Sequence, residues 1–356
     1  MRRIVVDYII PLCFSLGLLE LLSFAAVEFL QSKMVFYNPP PVGEYERYLE
    51  ERDPVLGWPS KTQAKERLDY SGSRPMPAFP TPGTACVSLY GDSFTWSDPV
   101  DDEHAWGNVL GQKLNCRVAN YGYGAYGNDQ ALLRFQLNEH DESGLVVLNH
   151  FPGDIRRNVN QMRNLLSAKE RLTLKPRFVL ENGALKLIPI PAPSKEQALE
   201  LVEDPAKFLN HEFFLPGGPS HIRRISFPYT LSLLSVYQNE HIGAKMQGKA
   251  VWDLYHEASH PSGALQLTTA IFKEFVDLAH NRGKQAVVTV IPNAHDIENF
   301  KEFGHWGFQP LIDALAEYSI PVLNFGPGVI EYVGDRNICE ITEKNICYGH
   351  YNEEGY

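Results

Sequence analysis

The apolar positions of this chain fall into three patterns. The first is a nearly unbroken apolar run over residues 4–30, interrupted only by Asp7, Glu20 and Glu28. Residues 9–26 hold a single charge, which is near the minimum for a helix that crosses a bilayer. Arg2 and Arg3 ahead of the run favour a cytoplasmic N-terminus with the remainder outside. A cleavable signal peptide competes, with Ser23-Phe24-Ala25 as its cleavage region, but the length of the run favours an uncleaved anchor over residues 1–32. The second pattern is proline-rich. Residues 33–82 carry Pro39, Pro40, Pro41, Pro54, Pro59, Pro75, Pro77, Pro80 and Pro82, and predict an extended juxtamembrane lead with little regular structure.

The third pattern begins at Cys86 and alternates short apolar runs with helical periodicity. Residues 86–90 (CVSLY), 116–121 (CRVANY) and 144–151 (GLVVLNHF) predict strands, and residues 106–114 and 128–138 predict helices between them. Such alternation implies a parallel sheet covered on both faces. The rhythm breaks over residues 160–250, which predict an insertion, or a lid and substrate-side subdomain. Within it Asn182-Gly183 between alternating apolar residues is a hairpin signal, and residues 194–202 read as a short helix. The βα rhythm resumes with helices at 265–279 and 309–318 and strands at 284–292 and 321–325.

With 356 residues, 44% hydrophobic and 21% charged, the chain suits one large domain or two modest ones. A net charge of −11 argues against a nucleic-acid partner. Export would make the cysteines legible. Cys13 lies in the apolar run, leaving Cys86, Cys116, Cys339 and Cys347 for a disulfide-permissive compartment, with free buried thiols as the alternative. Cys86 and Cys116 each open a strand six residues ahead of a loop position, so in-register neighbouring strands would place them face to face. The expected bridges are Cys86–Cys116 and Cys339–Cys347.

Ligands on open parallel sheets bind beyond the carboxyl ends of the strands. That rule selects Gly91-Asp92-Ser93, the loop from Gly122 to Gly127, and Pro152-Gly153-Asp154. Alone, Gly-Asp-Ser is an ordinary turn. A serine at a strand-to-helix turn becomes a nucleophile only with a base, and His350 is the candidate. Together YGDSF, ANYGYGAYG and GHYNEEGY, in that order, resemble the SGNH (GDSL) hydrolases over about residues 86–356.

That resemblance implies a flavodoxin-like three-layer α/β/α fold and cleavage or transfer of ester-linked acyl groups without a cofactor. It assigns Ser93 as nucleophile and His350 as general base. It assigns the N–H groups of Ser93 and Ala125 to the oxyanion hole, with Gly124 as fallback. Two positions depart from the family. Asp154 or Gly153 stands where an oxyanion asparagine is expected, with Asn149 and Asn158 nearby but not at the matching offset. Cys347 occupies the place of the triad acid, for which a backbone carbonyl, Glu340, Glu343 or Asp335 would have to substitute. The resemblance would also continue into a last helix beyond Tyr356. A carboxylate at 154 would repel an oxyanion unless protonated or turned away.

The remaining histidines show no metal-ligand spacing; His256 and His260 are four apart with no further ligand in a recognisable pattern. Gly122, Gly124 and Gly127 mimic a dinucleotide loop, but no acidic residue follows at the required distance. The leading expectation is therefore a membrane-anchored, extracytoplasmic (periplasmic or cell-surface) serine esterase. It would remove O-acyl groups, acetyl foremost, from envelope or exported polysaccharide. The alternatives are an O-acyltransferase using the same serine and a catalytically weak glycan-binding scaffold.

Overall fold

A computed structural model describes residues 4–167 and 171–356. Arg2 and Arg3 of the expected anchor, and residues 168–170 of the expected insertion, lie outside the described residues. The chain gathers into two compact units: residues 1–43, 162–173 and 193–251 form one, and residues 44–161, 174–192 and 252–356 the other.

The larger unit is built on a five-stranded parallel sheet. Its strands are β1 (Val87–Tyr90), β2 (Val118–Asn120), β3 (Leu145–His150), β6 (Gln285–Val290) and β7 (Val322–Asn324), in spatial order β2-β1-β3-β6-β7. Counting only the sheet's own strands, this is the flavodoxin-like doubly wound order, whose direction reverses between β1 and β3. Alternation along β1 explains the layers. Val87 and Leu89 point to one face, with Val118, Val147 and residues of the helix Trp106–Leu114. Tyr90 points to the other, where its ring meets Phe135 of the helix Asn128–Leu137 and Phe275 of the helix Ala264–Asn281. In the latter helix Leu267, Ile271, Phe275 and Ala279 recur every fourth residue and are all buried.

The hairpin falls where its turn demands it. Strands β4 (Arg177–Glu181) and β5 (Ala184–Ile188) are joined through Asn182 and Gly183, whose φ values of +52° and +80° are those of a type I′ turn. Lys175, fully buried ahead of the hairpin, pairs with buried Asp129 and donates to the carbonyls of Arg157, Asn160 and Pro176. The hairpin thus belongs to the sheet's unit.

The other unit holds the apolar N-terminal segment: a π-helical turn Val5–Ile9 followed by the helix Ile10–Ser32, together long and apolar enough to cross a membrane. Residues 193–251 join it, with helices Lys195–Glu203, Tyr229–Leu234 and Glu240–Met246. The expected insertion at 160–250 is therefore divided: its hairpin goes with the sheet, and its remainder with the N-terminal helix.

The lead over residues 33–82 is not the extended spacer its prolines predict. It contains helices Tyr45–Glu51 and Lys61–Arg67, the second opened by a capping box between Ser60 and Gln63. Met76 is buried against the sheet with Phe79 beside it. Prolines at helix borders and turns are compatible with ordered packing, and composition could not distinguish the two.

Both expected disulfide pairs lie together, with Cα separations of 6.1 Å for Cys86–Cys116 and 4.6 Å for Cys339–Cys347. The register differs by one residue from expectation. Val87 pairs with Val118, and the Cys86 N–H donates to the carbonyl of Arg117, not Cys116.

Candidate active site

The site lies at the carboxyl end of β1, beside the switch point. Gly91 ends the strand with φ +156°, and a Cβ there would lie 2.0 Å from Thr95 Oγ1. Glycine is thus required for the chain to turn this tightly. Asp92 caps the short helix Ser93–Trp96, its carboxylate accepting from the N–H groups of Phe94 (2.9 Å) and Thr95 (3.4 Å). Ser93 sits at the first helical position, 4% exposed.

Ser93 Oγ is 2.8 Å from Nε2 of His350, across 257 residues of sequence. The histidine is held by its loop. The Cys339–Cys347 bridge closes that loop, and Thr342 bridges Tyr351. Glu343 N–H donates to the His350 carbonyl (2.8 Å), and Tyr351 Oη donates to the Pro292 carbonyl (2.6 Å). The imidazole rests on Phe94 at 4.8 Å between centroids, and Phe94 in turn stacks on Phe151 at 4.6 Å.

Of the acids considered for the triad, Glu343 is the one brought to the histidine: its Oε2 lies 3.9 Å from His350 Nδ1, close for an ion pair and too long for a hydrogen bond. A second carboxyl, Asp98, is also close enough to feel the histidine. Burial pushes it up, while His350, Arg67 and Arg74 pull it down. Charge at this distance is worth between about 1 and about 4 kcal/mol, depending on solvent access. Glu343→Gln is accordingly expected to lower kcat/KM by about 10- to 100-fold while leaving KM near its original value. Steady-state kinetics on the two proteins checks this.

The glycine-rich loop carries Gly124 and Ala125, the positions expected to give backbone donors. Ala125 adopts φ +64°, the left-handed region glycine usually fills. Among the described residues, the N–H groups of Ser93, Gly124 and Ala125 have no internal acceptor. The loop is shaped by the lead: Trp58 Nε1–H donates to the Gly124 carbonyl (2.9 Å) and Tyr126 Oη to the Trp58 carbonyl (2.7 Å). Arg74 likewise holds the carbonyls of Trp96, Ser97 and Val100. Sequence reasoning gave these residues no part in the site, because their contacts join positions far apart in the chain.

Asp154 is placed differently from an oxyanion donor. Its buried carboxyl accepts from Arg157 Nη1 at 2.5 Å and lies 3.4 Å from the Phe151 N–H. The same Nη1 reaches the Asp92 carboxylate at 3.2 Å and the Tyr126 carbonyl at 2.8 Å. Burial, and then the Asp92 charge, push Asp154 well above the usual carboxylate range, with Arg157 opposing. The carboxyl is turned toward Arg157, one of the two ways in which an acid at this position avoids repelling an oxyanion. Arg157 was not singled out by any motif.

Behind this layer, His150 Nε2 lies 3.5 Å from His256 Nε2, and both rings are fully buried. His150 Nδ1 meets Asn128 Oδ1 at 2.8 Å, and His256 Nδ1 meets the Trp252 carbonyl at 3.0 Å. Burial holds His256 at about 4 against an ordinary 6.5, and drives His150 well down too. Between pH 6.5 and 4 the unfolded chain binds the proton that the folded His256 refuses. Stability from this residue is thus complete above pH 6.5 and is lost as pH falls toward 4, by roughly 3 kcal/mol. Asp296 acts in the opposite sense: burial raises it to about 7, so the stability it contributes below about pH 4 is lost as pH rises from there to about 7. Urea unfolding of the protein and of His256→Gln at pH 7, 6 and 5 separates them. The acid-side loss is expected to shrink in the variant.

A doubly wound α/β protein with a serine–histidine pair at the end of its first strand is what the fold and the site define. No protein-family model and no curated protein matches the sequence. Solved structures similar to this chain include one described as a G-D-S-L-family lipolytic protein from Desulfitobacterium hafniense. It is 15% identical, with a TM-score of 0.36, over 76% of this chain and 92% of that one. A substituted form of the esterase AlinE4 is 12% identical, with a TM-score of 0.34, over 74% of this chain and 85% of that one. A protein from Lactobacillus plantarum is 10% identical, with a TM-score of 0.34, over 77% of this chain and 92% of that one.

Proposed function

We propose that this chain is a membrane-anchored, extracytoplasmic serine esterase acting on O-acyl groups of exported glycans. The observation that carries the proposal is the 2.8 Å contact between Ser93 Oγ and His350 Nε2. A serine hydroxyl is a weak nucleophile unless an imidazole takes its proton as it attacks. In the proposed reaction Ser93 Oγ bonds to the ester carbonyl carbon while His350 accepts the hydroxyl proton. The carbonyl oxygen becomes an oxyanion facing the N–H groups of Ser93, Gly124 and Ala125, which have no internal acceptor among the described residues. Collapse breaks the ester C–O bond, and His350 returns the proton to the departing sugar oxygen. Water, deprotonated by the same histidine, then cleaves the acyl-enzyme. Glu343 and Asp98 support the positive charge that His350 carries between these steps.

The glycan preference is supported by Tyr348, whose exposed ring lies two residues before His350, a surface on which a sugar face can pack. An external location is supported by the long apolar N-terminal helix and by the two cysteine pairs. The test uses the full chain in nanodiscs, with p-nitrophenyl acetate and an O-acetylated xylo-oligosaccharide as substrates. Acetate release from both, blocked by a serine-directed fluorophosphonate, supports an esterase. Release from p-nitrophenyl acetate alone removes the glycan assignment, and transfer to an added sugar acceptor converts the reading to a transferase. No Ser93-dependent turnover of either substrate overturns it.

A further inference from the structure

The helix Tyr229–Leu234 carries apolar side chains on its inner and its outer side, with the hydroxyls of Thr230 and Ser232 bonded to Ser23 and Ser226. Its inner side, with Ile225, Tyr229, Leu233 and Val236, packs on Val27, Val35 and Phe36. Its outer side presents Leu231 (62% exposed) and Leu234 (61%), flanked by Phe227 (73%) and Tyr237 (70%). Water disfavours so large a contiguous apolar face, which belongs against hydrocarbon or protein.

The depth of this helix follows from its bonds to the N-terminal helix. At 1.5 Å per residue a hydrocarbon core of about 30 Å takes about 20 helical residues, so a span entered near Ile4 ends near Phe24. Glu20 falls about 6 Å inside that boundary, where an unpartnered carboxylate is costly. Its partner is the segment in question: its carboxylate accepts from the N–H groups of Tyr229 (2.6 Å) and Thr230 (3.3 Å). Ser23 Oγ meets Thr230 Oγ1 at 3.1 Å, and the Phe24 ring meets Tyr229 at 5.0 Å. The exposed apolar side chains therefore lie level with the outer edge of the bilayer. Beside Leu231 a cleft of about 380 Å³ is lined by Arg223, Arg224, Ser226, Ser232 and Ser235. The two guanidinium groups are donors suited to a phosphate group, while the hydroxyls of Ser232 and Ser235 already donate to the carbonyls of Ser226 and Ser232.

We infer that residues 226–246 form a second membrane contact in the outer leaflet. In it Phe227, Leu231, Leu234 and Tyr237 enter the acyl-chain boundary, and Arg223 and Arg224 stand at the level of the phospholipid phosphates. The unit then holds the bilayer through a span and an interfacial helix together, which fixes its rotation and depth as a single helix would not. This inference rests on the reading of Val5–Ser32 as an uncleaved anchor.

The test places an environment-sensitive fluorophore on the full chain in phosphatidylcholine–phosphatidylglycerol nanodiscs that carry nitroxide-labelled lipids. Native Cys13 reports the span. Leu231→Cys and, separately, Tyr237→Cys in a Cys13→Ser background report the proposed contact, and Glu196→Cys serves as the water-exposed control. Several-fold stronger quenching at 231 and 237 than at 196, strongest with nitroxides near the headgroup, is the expected result. Quenching at Cys13 with none at 231 or 237 overturns this inference and leaves the anchor standing. No quenching at Cys13, or its absence from the mature N-terminal sequence, removes the anchor itself. Protection of 231 from aqueous iodide without lipid quenching assigns the face to a second copy of the chain, and also overturns it.

Discussion

Ser93→Ala is expected to lower kcat by about a million-fold, and His350→Ala by a similar factor, with the double variant no worse than either alone. In the proposed reaction the two side chains act as one device. Without the imidazole the hydroxyl keeps its proton, and without the hydroxyl the imidazole has nothing to activate. A residual acceleration of about a thousand-fold or more over water is expected from the backbone donors, which neither substitution touches. The measurement is p-nitrophenyl acetate turnover together with fluorophosphonate labelling of purified full chain. Labelling should vanish in Ser93→Ala and fall steeply in His350→Ala. A Ser93→Ala protein that keeps a large share of both signals would remove Ser93 from the chemistry and leave a binding scaffold as the better reading.

Arg157→Leu carries the largest expected cost to stability, about 3–5 kcal/mol in the unit that contains the sheet. The guanidinium reaches two carboxyl groups, Asp92 and Asp154, and both are completely buried. Removing it leaves the Asp92 charge without its partner in a region that water does not reach. Leucine offers neither the charge nor the hydrogen bonds to compensate for that loss. The damage should reach the chemistry too, because Asp92 caps the turn that presents Ser93. Arg157→Lys should fall between, since an ammonium retains the charge without the planar fork. Urea unfolding followed by tryptophan fluorescence, paired with fluorophosphonate labelling, checks both effects. A loss below about 1 kcal/mol would place Arg157 among ordinary surface pairs.

The strands were readable because a buried parallel strand is a short continuous apolar run between turn residues, and residues 86–90, 144–151 and 284–292 each have that form. The hairpin was readable from Asn182-Gly183 between alternating apolar residues, since few residue pairs tolerate two successive positive φ angles. The lead was misread for a related reason. Proline density records where helices cannot continue, and says nothing of whether the segment between is packed. The one-residue shift at Cys86 has its own cause: register between parallel strands is set by the packing of the whole sheet, which two cysteines do not reveal.

At the site, the strand pattern placed Ser93 in a loop at the sheet's carboxyl edge, and His350 was nominated as a histidine near the end of the chain, in the GHYNEEGY stretch that carries the resemblance. It also pointed to the two positions, 154 and 347, where an acid or donor is not where the resemblance expects it. Only the tertiary structure decided what those positions mean. Asp154 turns to Arg157, Glu343 comes to the histidine, and Glu20 finds its partner 209 residues away at Tyr229. Local pattern depends on the few residues around a position, so it can be read along the chain. A buried charge is satisfied by whatever the fold brings beside it, and that neighbour is chosen by the packing of the whole.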